Sequence, residues 1–169
     1  MDDLIFFAAL GVIAGGRLGW IFVYGFDRLV EDPLAIFRVW EGGMSFHGGL
    51  TGVMIAVAWF AHRRGRRVAD VFDFTAPLPA IGLFAGRIGN FINGELWGKP
   101  TDVPWGFLVG GEVRHPTQLY EATLEGIVLF TVIWWYTSKP RPRLAPAGLF
   151  LTLYALFRIL VEFLRLPDA

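Results

Sequence analysis

The sequence predicts an all-α integral membrane protein of about five transmembrane helices, one transmembrane helical domain over residues 1–169, with polar residues converging in the outer-leaflet half. Three observations carry this reading. The chain is 54% hydrophobic and only 18% charged, where soluble domains run about 45–50% and about 25%. Its apolar residues come in blocks of membrane-spanning length. Its basic residues cluster between those blocks in the alternation that membrane insertion imposes.

Residues 4–26 form the first block, longer than the roughly 20 residues that a hydrocarbon core requires. It is full length and lacks a basic leading region, so it reads as a span rather than a cleaved signal peptide. Residues 46–61, 68–96, 119–136 and 147–166 are the other expected spans. The second is short unless its ends reach into the interface. "HRRGRR" at 62–67 sets four arginines between the second and third spans, and "KPRPR" at 139–143 sets three cations between the fourth and fifth. Both connections are therefore expected on the cytoplasmic side. The loops at 27–45 and 97–118 mix cations with Asp27, Glu31, Asp32, Glu41, Asp102 and Glu112, as external loops do. With the N-terminus inside, the alternation closes.

Composition excludes several classes. Formal charge is zero, which leaves no basic footprint for nucleic acid. Cysteine is absent, so disulfides, thiolate metal sites and a cysteine nucleophile of the chain's own are excluded. There is no G-x-S-x-G elbow and no His-rich metal motif, and neither metal nor cofactor is expected.

Depth then ranks the polar residues. At 1.5 Å per residue, Arg17 lies about 20 Å along the first span, Arg87 about 28 Å along the third, and Arg158 roughly 17 Å along the fifth. His47 stands at the outer start of the second span, in "SFHGGL". Four groups from four spans are thus expected in the outer half. Arg87, Asn90, Gly94, Glu95 and Gly98 share one arc of about 140° if the helix persists that far. Asn93 falls off it. Arg158, Glu162 and Arg165 make a stripe at i, i+4, i+7. "GVIAG" and "GGRLG" in the first span are small-xxx-small patterns that admit a second helix, and Gly48, Gly49 and Gly52 offer the matching surface.

Each residue also has a plain structural reading. Arg17 fits either a structural pairing or support of a site. His47 fits an interfacial histidine, and Arg158 with Glu162 fits an i, i+4 pair. His62 belongs to the basic cluster and His115 marks the start of the fourth span. Trp40, Trp97 and Trp105 fit an aromatic belt. Convergence, rather than any one residue, argues for a site. Arginines without a full set of acidic partners, at headgroup depth, suit an anionic lipid, because guanidinium forks match phosphate oxygens. His47, beside a helix N-terminus, would stay neutral and accept a proton. Such a site would activate a nucleophile brought by its substrate and stabilise a phosphate-bearing leaving group.

"GGMSFHGGL" (42–50), "GRIGNFINGELWG" (86–98), "RHPTQLYEA" (114–122) and "FRILVEFLRLPD" (157–168) occur in the order of the prolipoprotein diacylglyceryl transferase family, which the chain resembles over essentially its whole length. The resemblance implies a multi-pass enzyme of the bacterial inner membrane, its site facing the outer leaflet. Its partners would be phosphatidylglycerol, the lipobox segment of a preprolipoprotein and membrane lipids. It would move the diacylglyceryl group to the lipobox cysteine and release glycerol phosphate. By motif, His47 matches the proposed base, and Arg87 and Arg158 match the arginines that handle phosphate. Asn90, Glu95 and Gly98 match further signature positions, and Glu162 the glutamate paired with the second arginine. The family's first and last spans have no counterpart here, nor does a tyrosine of that first span; Tyr24 follows the next motif instead. The alternative is a shortened member, or an anion-binding membrane protein, that holds anionic phospholipid without completing transfer.

Overall fold

The computed structural model describes residues 2–166, with the Asp2 side chain left aside. They form two compact units that divide between Val71 and Phe72.

In the first unit, helix α1 (Asp2–Val23) packs along α3 (Phe46–Arg63). The seam is made of glycines: a Cβ on Gly11 would lie 2.6 Å from the Gly52 carbonyl oxygen, and one on Gly19 would lie 2.7 Å from the Gly48 Cα. In lipid, helices gain little from hiding apolar surface, so this backbone approach is what supplies contact. Phe7 meets Trp59 edge to face at 4.7 Å, and Asp3 pairs with Arg64 at the far end of the seam. Between the two helices, a short helix α2 (Phe26–Glu31) leads into two 3-10 turns, Pro33–Phe37 and Val39–Glu41. The Ser45 hydroxyl then caps α3 by accepting from the Gly48 N–H at 3.2 Å.

Helix α4 (Val68–Thr75), which begins in the first unit and ends in the second, meets α5 (Leu78–Asn93) at a bend of 43°. The single straight span expected over 68–96 is therefore broken. Pro77 and Pro79 are the reason, because neither has an N–H to continue the helical ladder. A depth for Arg87 measured along one straight rod does not hold.

Helix α5 stops at Asn93. Gly94 takes the left-handed conformation (φ 72°), the Gly94 N–H bonds to Phe91 O at 3.1 Å and the Glu95 N–H to Asn90 O at 2.9 Å, a Schellman ending. Glu95 and Gly98 consequently leave the helix, and the arc expected to carry them ends before they begin.

The following loop contains a hairpin, β1 (Phe107–Val109) with β2 (Glu112–Arg114), the only pair of strands among the described residues. Gly110 and Gly111, both at positive φ, make its two-residue turn. Next come α6 (Thr117–Glu121), a π-helical segment (Ala122–Val128) and α7 (Leu129–Thr137), continuous from 117 to 137. Helix α8 (Ala145–Glu162) closes the unit. Its first turn is capped from a distance, as the Asp73 carboxylate accepts from Leu144 N at 2.6 Å and Ala147 N at 3.2 Å. Ala76, Ala80, Leu129 and Ile133 form the buried core, flanked by Leu83, Leu153 and Phe157.

Among the described residues two helices, Asp3–Val23 and Ala145–Glu162, are each long and apolar enough to cross a membrane, and the bent pair α4–α5 makes a third if it is one span. Their apolar side chains point outward: Phe6, Leu10 and Phe22 on α1, and Leu151, Ile159 and Leu160 on α8, are exposed. Apolar surface on this scale suits lipid rather than water.

Candidate functional site

In the second unit the polar groups gather on Glu121. This residue ends α6, only 1% of its side chain is exposed, and it meets three arginines from separate segments. Oε1 accepts from Arg158 Nη1 at 2.6 Å and from Arg165 Nη1 at 2.9 Å. Oε2 lies 3.1 Å from Arg87 Nε. Arg87 also faces Glu125, with Nη2 at 3.6 Å from Oε2. Arg158 faces Glu162 at 3.0 Å, one helical turn on.

These contacts bring together Arg87, Arg158 and Glu162, three of the residues expected from sequence. They also correct the expectation that the arginines lack acidic partners. Arg87 has two carboxylates beside it, and so does Arg158. Neither Glu121 nor Glu125 was expected. A signal was present, since two acidic residues inside an apolar run ask for a partner by the reasoning already applied to Arg158 and Glu162.

The chain around this cluster is held by backbone contacts. After Glu162, residues 163–165 turn back, so that Arg165, 6% exposed, reaches Glu121. Gly98 pairs with Arg165 as an isolated β-bridge, and its N–H bonds to His115 O at 2.9 Å. A Cβ on Gly98 would stand 2.6 Å from both the Leu164 carbonyl oxygen and Thr117 Cγ2. The structure thus places Gly98 as a close-packing point under Arg165. Thr117 Oγ1 donates to Leu96 O at 2.9 Å and Gln118 Nε2 to Glu95 O, so α6 also holds the 95–96 turn, where Leu96 sits at φ 59°. Asn90 Nδ2 donates to the exposed Glu95 carboxylate at 3.3 Å. Trp97 lies tilted between Phe91 and Phe107 with ring centroids 5.6 Å away, and Trp105 donates to the Tyr120 hydroxyl at 2.7 Å. Trp97 thus packs within the loop, and Trp105 stays exposed.

Arg17 and His47 belong to the first unit. Arg17, 2% exposed, donates to four backbone carbonyls: Ile36 at 3.3 Å, Gly43 at 3.2 Å, and Ala35 and Gly42. Its guanidinium also lies 5.2 Å from the Trp20 ring. The 35–43 loop encloses Arg17, and of its two sequence readings this geometry favours the structural one. It pins the 35–43 loop, where Gly42 and Gly43 adopt the positive φ that turns consecutive carbonyls toward one cation. His47 is the second residue of α3, exposed, and no hydrogen bond reaches its ring among the described residues. It lines an open groove of about 710 Å³ along the α1–α3 seam, which runs past Leu10, Leu18 and Ile55. Among the described residues, no cluster of His, Asp and Glu could hold a metal ion.

The family model for prolipoprotein diacylglyceryl transferase matches residues 1–169. Over 173 residues the chain is 56% identical to the phosphatidylglycerol–prolipoprotein diacylglyceryl transferase of Ectopseudomonas mendocina, covering 100% of this chain and 65% of that protein. The enzyme of the same name from Methylococcus capsulatus is 55% identical over 171 residues, with 99% and 65% covered. That from Teredinibacter turnerae is 56% identical over 172 residues, with 100% and 60% covered. The chain therefore spans about 65% or less of the length of these relatives. On a match that runs from end to end, it belongs to the prolipoprotein diacylglyceryl transferase family.

Proposed function

We propose that this chain transfers the diacylglyceryl group of phosphatidylglycerol to the lipobox cysteine thiol of bacterial preprolipoproteins and releases glycerol phosphate. The observation that supports this most is Arg87 and Arg158, from different helices, drawn onto one buried carboxylate while staying partly exposed, at 18% and 29% of their side chains. Arg87 Nη1 has no partner among the described residues, so it is free to donate to an incoming phosphate oxygen. In a low-dielectric site, donors fixed in advance stabilise charge that develops on the leaving group.

In this reaction the thiol sulfur attacks the glyceryl carbon that bears the phosphate ester. A carbon–sulfur bond forms, the carbon–oxygen bond breaks, and its electron pair leaves with glycerol phosphate. The thiol proton goes to His47 acting as base. Arg87 and Arg158 hold the phosphate and Glu162 steadies Arg158. Asn90, Glu95 and Gly98 shape the lipid-binding turn, and Arg17 gives support by pinning the 35–43 loop. The reading includes five spans, placement in the bacterial inner membrane, and chemistry at the outer leaflet. The basic connections at 62–67 and 139–143 support that orientation.

The test is reconstitution of the chain in phosphatidylglycerol vesicles with a lipobox peptide. Thioether product is expected, and none with a peptide whose cysteine is replaced by serine. Lipid binding without thioether formation would leave a lipid-binding protein instead of a transferase.

A further inference from the structure

Glu125 is fully buried on the π-helical segment, and neither of its carboxyl oxygens accepts a hydrogen bond among the described residues. Buried polar atoms in that condition are uncommon and call for a reason. Glu121 contrasts with it, since its Oε1 takes two guanidinium hydrogen bonds. Glu125 only faces Arg87, with 3.6 Å between Oε2 and Nη2. The other charged or titratable groups that act on it are Glu121 on its own run and Arg158 and Tyr154 on α8.

The placement follows from the adjacent residue. A Cβ on Gly126 would lie 2.6 Å from Phe84 Cβ and 3.1 Å from Phe84 Cα, so the two helices touch through backbone at this point. Phe84 precedes Arg87 by one turn of α5. The π-helical segment is thereby held against α5 with Glu125 at the level of Arg87. An extra residue in a helical turn often marks a functional position.

A counter-charge that attracts a guanidinium without locking it has a use where phosphate must be both bound and released. Phosphatidylglycerol is a phosphodiester with one negative charge. Glycerol phosphate is a monoester carrying about −1.5 to −2 near neutral pH, by analogy with other phosphate monoesters. Arginines with too few carboxylates beside them would hold this product more tightly than the substrate. We propose that Glu125 competes with the phosphate group for Arg87 and so sets how readily the phosphate product leaves. Glu125 is a positioning residue here, acting through Arg87. The inference rests on the reading of Arg87 as a phosphate-binding residue.

Glu125→Gln keeps the size of the side chain and removes its charge, and Glu125→Asp keeps the charge. Wild type and both variants are placed in nanodiscs, and binding of glycerol phosphate is measured by calorimetry beside phosphatidylglycerol turnover. Glu125→Gln is expected to bind glycerol phosphate about tenfold more tightly, a modest effect for one charge removed in low dielectric. Its kcat and KM should fall together as release slows. The difference from wild type should shrink below about pH 6, where a phosphate monoester takes up a proton. Glu125→Asp should stay within about twofold of wild type on the same grounds. Equal or weaker product binding by Glu125→Gln, in a protein that binds and turns over phosphatidylglycerol, would overturn the inference alone. Tighter binding in both variants would also overturn it, since size rather than charge would then matter. A wild-type chain that binds neither lipid nor glycerol phosphate would overturn it together with the role of Arg87.

Discussion

The Glu121 carboxylate accepts a hydrogen bond from the Arg158 guanidinium at 2.6 Å, across 37 residues of sequence. Because Arg87 and Arg165 meet the same carboxylate, this one residue ties α5, α6 and the end of α8 together. Removing its charge takes one carboxylate away from each of three arginines, of which Arg165 is buried. Breaking a buried ion pair from one side costs about 3–5 kcal/mol. Glu121→Gln should therefore unfold at markedly lower denaturant or temperature and lose transfer. Unfolding followed by tryptophan fluorescence checks this, and wild-type stability in the variant would show that the arginines find other partners.

Arg87→Lys separates charge from geometry. The arginine reaches Glu121 through Nε and Glu125 through Nη2, with Nη1 left over. An ammonium keeps the cation but not the planar fork. Transfer should fall by about 10²-fold, the scale of a small misplacement at a reacting centre. The fold should persist. Full activity in this variant would remove the phosphate-holding role.

His47→Asn distinguishes base from bystander. General-base help is worth about 10²–10⁴-fold, and the variant should lose that factor while still binding phosphatidylglycerol. The attacking thiol ionises unaided near a pKa of about 8.5, so raising the pH should restore part of the rate. A near wild-type rate would make His47 structural, and lost lipid binding would make it a headgroup contact.

Gly98→Ala tests a different kind of constraint. The added Cβ would meet the Leu164 carbonyl oxygen at 2.6 Å, and backbone cannot step aside as a flexible side chain can. Overpacking typically costs about 1–3 kcal/mol. Here it should also push Arg165 off Glu121. Reduced thermal stability with reduced transfer is expected. Gly89→Ala, with open space around its Cβ, is the matched control and should behave as wild type.

Topology can be read directly, because the chain has no cysteine of its own. A single cysteine at Arg66 should react with an impermeant maleimide only after the membrane is opened. One at the exposed Leu108 should react from outside. The reverse pattern would turn the chemistry toward the cytoplasm.

Much of the fold was legible because lipid imposes strong local rules. A segment that spans needs a long apolar run, and a helix that packs closely needs small residues on one face. The run at 4–26 and the glycines at 11, 15, 19, 48 and 52 obey these rules, and α1 and α3 pack where they point. The break at Pro77 and the Gly110–Gly111 turn were also written locally, but an expected span and an expected loop masked them. Arg87, Arg158 and Glu162 stood out because charge inside an apolar run is costly.

The sequence by itself determined the helical class, the family and the residues whose charge the membrane would otherwise penalise. Which charges neutralise which was decided by tertiary structure. Glu121 and Arg165 are 44 residues apart, and no periodicity connects them. Their meeting depends on the Gly98 contact and the turn after Glu162 that returns the chain to α6. Helix and span signals arise from neighbours along the chain, so sequence displays them. An ion-pair partner is chosen by three-dimensional proximity in a low dielectric, and only the folded chain brings Arg87, Arg158 and Arg165 to one carboxylate.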